Sequence, residues 1–186
     1  MTRPLYPCPA DWERVTLEAD VDAQVVVEVG SGGTPPTGTQ DYWDGSHWWL
    51  TPKDITDGPQ RRNIDATART LTDAGVRKAG RLWEPGTVLL TKRAPVGEVA
   101  INSVPMATNQ GFLAFRCGER LLPEFLYYWL KASRAYLEVV ANGSTYDELY
   151  PNDLFEFEVA LPKRPEQDRI VRALGALDDK IELNRK

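Results

Sequence analysis

Histidine and cysteine are scarce in this chain: one imidazole, His47, and two thiols, Cys8 and Cys117, among 186 residues. So few soft ligands, so far apart, exclude a zinc site, which needs three or four such donors at helpful spacing. Two thiols allow at most one bridge, and usage this sparse reads as a reduced protein of the cytosol. No apolar run approaches the roughly 18 residues of a membrane span. The first residues, Met1 to Pro7, lack an apolar segment, so no secretory signal is expected. Internal repeats and low-complexity stretches are missing. Basic charge is also short, with 22 Lys and Arg against 27 Asp and Glu for a net charge of −5. That balance weighs against a nucleic-acid binder, because neutralising phosphates dominates such affinity.

What is present is ordinary for a globular domain: 42% apolar and 26% charged residues. The charge is unevenly spread. Residues 1–50 carry two basic and eight acidic side chains, whereas residues 51–93 carry nine basic and five acidic. The basic set is Lys53, Arg61, Arg62, Arg69, Arg77, Lys78, Arg81, Lys92 and Arg93. A docking face needs a local patch rather than a basic total, so this stretch keeps a nucleic-acid partner open.

Residues 12–17 read as a strand or short helix, and hydrophobic patterning predicts short strands over residues 25–29, 48–51, 87–91, 96–101 and 112–115. Tyr42 to Gly45 reads as a turn, and Asp73 to Val76 as a helix end. Strands at roughly ten-residue spacing point to an antiparallel β core. Pro123 opens a helix to about Val140, with Leu126, Leu130, Ser133 and Leu137 on one face, and Asn142-Gly143 closes it. Residues 155–161 alternate strictly and read as a strand. A last helix opens at Pro165, where Ile170, Leu174, Leu177 and Ile181 step by four, three and four along a heptad seam. The expected fold class is α+β: a small β-rich globule over residues 1–162 with a packed helix, followed from residue 163 by a coiled-coil-type helix.

Several motifs stand out in order. They are Gly32-Gly33-Thr34-Pro35-Pro36, Trp49-Leu50-Thr51-Pro52-Lys53-Asp54-Ile55, and the run from Pro85 to Gly97. Ala107 to Phe112, the Asn142 to Thr145 turn, and Leu161 to Gln167 leading to Leu177 through Asn184 complete the set. In this order and spacing they resemble the specificity subunits of type I restriction–modification systems, over nearly the whole chain. The resemblance implies a target-recognition domain that reads one half of a bipartite DNA site, followed by the start of a spacer helix. It implies double-stranded DNA, methyltransferase subunits and a restriction subunit as partners, and no membrane. S-adenosylmethionine, Mg2+ and ATP would then sit on those partners, with no cofactor and no catalytic residue on this chain. Relative to the full pattern a second domain is absent. A half-subunit that self-associates or pairs with a second half-subunit, and a truncated fragment, both fit.

Each candidate residue has a functional and a plain reading. The backbone around Gly33 and Thr34 can approach phosphate or simply make a tight connection; it lacks the Lys-Ser/Thr of a nucleotide-binding loop. Lys53, Lys92 and Arg93 follow predicted strands, where they can hold phosphates or remain solvated. Asn109 and Gln110 could read adenine. Because the resemblance implies that members read different sequences with this motif in common, loop shaping or phosphate holding suits them better, as it does Ser144 and Thr145. Base reading is then expected from the idiosyncratic stretch: Gln60, Arg61, Arg62, Asn63, Arg69, Arg77, Lys78 and Arg81. Trp43, Trp48 and Trp49 suit packing better than base stacking, which belongs to single-strand binders. His47 reads as a lone surface residue. Ile170, Leu174, Leu177 and Ile181 suit pairing with another chain, with packing on the chain's own globule as the alternative.

Two rival functions remain. Asp41, Asp44, Asp54 and Lys53 could in principle serve a metal-dependent nuclease, although no nuclease spacing, nucleophile elbow or methyltransferase cofactor loop is recognisable. A regulator that occupies the methyltransferase through the last helix without touching DNA is the other.

Overall fold

The computed structural model describes residues 9–57, 61–93, 95–142, 148–154 and 157–184. In chain order the elements are β1 (Glu13–Thr16), β2 (Val26–Gly30), β3 (Trp43–Leu50), α1 (Pro52–Thr56), β4 (Asn63–Ile64), β5 (Arg69–Leu71) and α2 (Asp73–Ala79). Then come β6 (Val88–Thr91), β7 (Val99–Asn102), β8 (Met106–Thr108), β9 (Phe112–Cys117), α3 (Pro123–Ala132), α4 (Arg134–Asn142), β10 (Glu158–Leu161) and α5 (Arg164–Asn184). The class is α+β, as expected.

A five-stranded sheet, ordered β2-β9-β6-β7-β4, forms the middle layer. Its inner strands are apolar apart from Thr91, Asn102 and Arg116 towards their ends, because both faces are covered. Along β6 the side chains of Val88 and Leu90 join one apolar cluster and Leu89 joins another, the two-residue period of a strand. The first cluster meets Phe125, Leu126 and Leu130 of α3. The second meets Leu50 of β3 and Met106 of β8, which belong to a three-stranded sheet ordered β5-β3-β8. The far face of that sheet, through Trp49 and Ala107, buries Ala79 of α2. The layers therefore run α3, five strands, three strands, α2.

Three expectations are corrected. The core is mixed rather than antiparallel, because β3 pairs with β8, and β4 with β7, in parallel. Tyr42 to Gly45 is not a free turn: β3 starts at Trp43, with an irregularity before His47 and Asp44 at φ +60°. The helix expected from Pro123 to Val140 is two helices. The N–H of Ser133 reaches both Trp129 and Leu130 carbonyls at 3.0 and 3.1 Å, closing α3 in a shared terminal bond. The Ser133 carbonyl then accepts from Tyr136 and Leu137 and starts α4. The expected strand at 155–161 is described from Glu158 onward.

The first half of α5 packs on the globule. Gln167 is fully buried; its amide donates to the carbonyls of Arg120 and Pro162, and its Oε1 accepts the N–H of Leu122, all at 2.8 Å. Ile170 and Val171 then pack against the main core cluster. Changing Gln167 to leucine leaves these three backbone groups, of which the Pro162 carbonyl is buried, without that partner, and should cost about 2 kcal/mol. Urea denaturation would register this as a lower midpoint with an unchanged slope.

Candidate nucleic-acid interface

One corner of the molecule is assembled from four separate segments. The loop after β2 passes over the three-stranded sheet, and Gly32 is required there: a Cβ would lie 1.9 Å from the Thr108 carbonyl oxygen. Two buried indoles hold the loop from below. Trp49 donates to the Gly33 carbonyl at 3.1 Å and Trp43 to the Pro36 carbonyl at 3.2 Å, while their rings meet edge to face at 5.0 Å. With exposures of 3% and 5%, Trp43 and Trp49 pack rather than present their faces.

The second segment is the turn between β8 and β9. Asn109 donates its backbone N–H to the Leu50 carbonyl at 2.9 Å, and its Oδ1 accepts the Gly111 N–H at 2.8 Å. Asn109 therefore shapes the turn, and the turn holds Gln110 outward. The Thr34 hydroxyl donates to Gln110 Oε1 at 2.6 Å and joins the two loops. The third segment is α1. Asp54 accepts from the N–H and hydroxyl of Thr51 at 2.7 Å each and from the Ala68 N–H at 2.7 Å. That carboxylate is occupied in fixing the helix start and the strand beside it, leaving Lys53 exposed. β5 supplies the fourth, with the Arg69 guanidinium 3.5 Å from the Trp43 ring centroid, a cation–π contact. Lys53 and Arg69 line one open groove together with Trp49, Asp54 and Asp57.

The other basic candidates disperse. Arg77 and Lys78 are exposed on α2, which carries Asp73 in its first turn. The Asp73 carboxylate accepts a hydrogen bond from His47 Nε2 at 2.6 Å. That hydrogen bond, then the charge of His47, holds the Asp73 carboxyl below its ordinary value. His47 is thus a link between β3 and α2 rather than a lone surface residue. Arg61 lies across α1 from the corner, beside Ile55 and Asn63. Arg62 is turned inward and its Nη1 donates to the Tyr128 hydroxyl at 3.0 Å. Arg81 is ion-paired with Glu28 and lies 4.7 Å from the Trp83 ring centroid. Lys92 and Arg93 both bind Glu148, at 3.0 and 2.8 Å. Among the described residues, Lys53, Arg61, Arg77 and Lys78 make no ion pair within 4.0 Å. Gln60, Ser144 and Thr145 lie outside the described residues, as does Cys8; Cys117 is a free thiol packed on the main core cluster.

The seam on the last helix divides. Ile170 packs on the chain's own globule and Leu174 is half-buried, whereas Leu177 and Ile181 are 56% and 49% exposed and Leu183 is 69% exposed. Among the described residues no three His, Cys, Asp or Glu side chains come together as a metal site, and no helix is long and apolar enough to cross a membrane.

A braced glycine loop is thus joined to an amide-bearing turn, with the exposed Lys53 beside them. Residues 9–186 match the family described as the type I restriction modification DNA specificity domain, and the chain belongs to that family. It is similar to the MjaIX specificity subunit of Methanocaldococcus jannaschii, with 36% identity over 181 residues covering 96% of this chain and 40% of that protein. It is also similar to the EcoR124I/EcoR124II specificity subunit of Escherichia coli, with 25% identity over 87% of this chain and 42% of the relative. The same fold is found in the HsdS subunit from Thermoanaerobacter tengcongensis, at a TM-score of 0.70 and 22% identity, over 98% of this chain and 41% of that one. The chain thus spans about two-fifths of the length of these relatives.

Sequence reasoning assigned no role to Asn102, Tyr128, Glu148 or Asp178. Asn102 is buried; its amide donates to the carbonyls of Trp83, Glu84 and Val104 at 3.0 Å, and its Oδ1 accepts the Thr87 N–H at 2.8 Å. A polar residue ending an otherwise apolar strand was the only signal. For Asp178, the signal was Gly175 inside a helix, where glycine costs about 1 kcal/mol and asks for a reason.

Proposed function

We propose that this chain is a sequence-reading module for double-stranded DNA in a type I restriction–modification system, binding one half of a bipartite site. The convergence of the Gly33–Thr34 loop, Gln110, Lys53 and Arg69 on one corner is the observation that carries this reading. Backbone N–H groups of the loop braced by the buried tryptophans, with the side-chain N–H of Gln110, provide preordered donors for phosphate oxygens. Lys53 supplies a free positive charge beside them, and Arg69, rigidified on Trp43, offers a planar fork for phosphate or a guanine edge. Arg61, across α1 from the corner, and Arg77 and Lys78 on α2 are further exposed cations outside it that stay available to phosphate. Lys92 and Arg93, held by Glu148, support the loop that follows β6 and contribute less to the DNA. The module itself is not an enzyme; the methyltransferase and restriction subunits of a cytoplasmic complex bring S-adenosylmethionine, Mg2+ and ATP. The exposed end of α5, with Leu177 and Ile181, is the surface for assembly, with a methyltransferase subunit or a second specificity half.

The test is co-purification with the cognate methyltransferase subunit and selection from a random duplex pool. Enrichment of a short motif is expected. Lys53→Ala should then weaken binding to all sequences alike and reduce the slope of log affinity against log salt by about one. Arg69→Ala should in addition relax the preference at one base pair, by about 1–3 kcal/mol. A complex that forms yet enriches nothing beyond bulk DNA would replace this reading with that of a regulator docking through α5. The net charge of −5 is the feature that such a result would explain.

A further inference from the structure

Three distant parts of the chain meet where α5 crosses α3. Arg62 is anchored to the five-stranded sheet through its backbone, its carbonyl accepting the Ile101 N–H at 2.8 Å. Its guanidinium donates to the Tyr128 hydroxyl on α3 at 3.0 Å, and that hydroxyl donates to Asp178 Oδ2 on α5 at 2.8 Å. The order cation, hydroxyl, carboxylate lets each group use its stronger direction, and charged ends make such bonds stronger than neutral ones. Burial and then the bond to Asp178 push the Tyr128 hydroxyl up to about 12, so it stays protonated and able to donate. Gly175 makes the approach feasible. A Cβ there would lie 3.1 Å from Arg62 Nη1 and 3.8 Å from the Tyr128 oxygen, tight against the guanidinium.

The place of this cluster along α5 matters. Gln167 clamps the first turn of the helix and Asp178 clamps it eleven residues later, about 16 Å along the axis at 1.5 Å per residue. One attachment point leaves a helix free to swing; two fix an axis. Beyond Asp178 the helix carries the exposed apolar side chains of Ile181 and Leu183. We infer that Arg62, Tyr128 and Asp178 are positioning residues: a joint that fixes the direction in which α5 leaves the globule, so that the reading corner and the assembly end move as one body. Its consequence for DNA rests on the function proposed above. With the helix direction fixed, the distance and rotation between this half-site and whatever lies at the far end of α5 are fixed as well.

The direct measurement is the distance distribution between spin labels at Asp22→Cys and Lys180→Cys, two exposed positions, with Cys8 and Cys117 replaced by alanine. One narrow peak is expected with the joint intact. Tyr128→Phe, which keeps the ring, and Asp178→Asn, which keeps the shape, should each broaden that peak while the melting transition stays cooperative. If both variants keep the narrow peak, the joint is overturned. In complex with the methyltransferase subunit, the same variants should enrich the same half-site bases as wild type but tolerate several spacer lengths where wild type accepts one. Unchanged spacing beside a broadened peak would overturn the link between joint and spacing. Failure of the wild-type chain to enrich any motif would instead overturn the DNA-reading function, while the label distances would still decide the joint.

Discussion

Cutting Trp83 back to alanine should destabilise the fold by about 4 kcal/mol, the range for removing a large buried aromatic side chain, which for a domain of this size lowers the melting temperature by roughly 12 °C. Trp83 is 1% exposed and lies between the two larger sheets, in the cluster that holds Leu50, Leu89, Met106 and Phe112. Its backbone exchanges hydrogen bonds with Met106 at 2.8 and 3.2 Å, which pins the ring in place. The ring tip also fills the space left by Gly30, where a Cβ would be 2.6 Å from it. Because sheets form the surrounding walls, the cavity cannot close by small side-chain movements, and the lost contacts are not recovered. Trp83→Phe separates this cause from a polar one. The indole N–H is buried and meets no acceptor among the described residues, so phenylalanine removes that liability while keeping most of the volume. A loss near 1 kcal/mol is expected for it. If phenylalanine costs as much as alanine in thermal denaturation, cavity formation is not the reason for the loss.

Replacing Glu148 with glutamine should cost about 3 kcal/mol at neutral pH, because it leaves two cations beside a neutral amide. Glu148 is 4% exposed, and the Lys92 side chain that binds it is 13% exposed, so water replaces the lost carboxylate poorly there. Arg93 is half exposed and suffers less. Burial opposes the ionised carboxylate, but the hydrogen bonds and charges of Arg93 and Lys92 outweigh it, and the carboxyl is held below the ordinary glutamate value. The sign of the pH dependence follows. A carboxyl with a depressed folded value contributes its full stability above the ordinary glutamate range and loses it as pH falls through the folded value. Wild type and Glu148→Gln should therefore differ in urea midpoint at neutral pH and converge in acid. A gap that persists undiminished in acid would mean that the ion pair is not its source. The same variant frees Lys92 and Arg93. If they were free to hold phosphate, DNA affinity would rise even as stability falls, whereas their supporting role leads to a loss of both.

How far the chain could be read beforehand depends on the range of the physics involved. β6, β9 and the start of α3 were legible, because an unbroken apolar run, a turn signal and a proline at the first helical position act over a few residues. The length of α3 was not, because the break at Ser133 has no glycine or proline to announce it. β8 is only Met106 to Thr108, too short for a period to show, and its parallel pairing with β3 comes from segments more than fifty residues apart. Trp43 and Trp49 could be assigned to packing once the family resemblance pointed to a duplex reader. Their work as donors to Gly33 and Pro36 needed the folded loop.

The basic stretch shows the same division within the candidate site. The sequence by itself determined the α+β class, the order of family motifs, and the concentration of positive charge between Lys53 and Arg93, since all three are properties of local pattern. Only the tertiary structure decided which of those charges remain free. Lys53 and Arg69 stay at the corner, whereas Arg62 turns to Tyr128, 66 residues away, and Lys92 to Glu148. It also decided that Ile170 packs inward while Leu177 and Ile181 on the same seam stay exposed. A charged or apolar side chain has the same intrinsic preferences wherever it occurs. Its partner is set by which distant segment the packed layers bring within a few ångströms, and no local period encodes that.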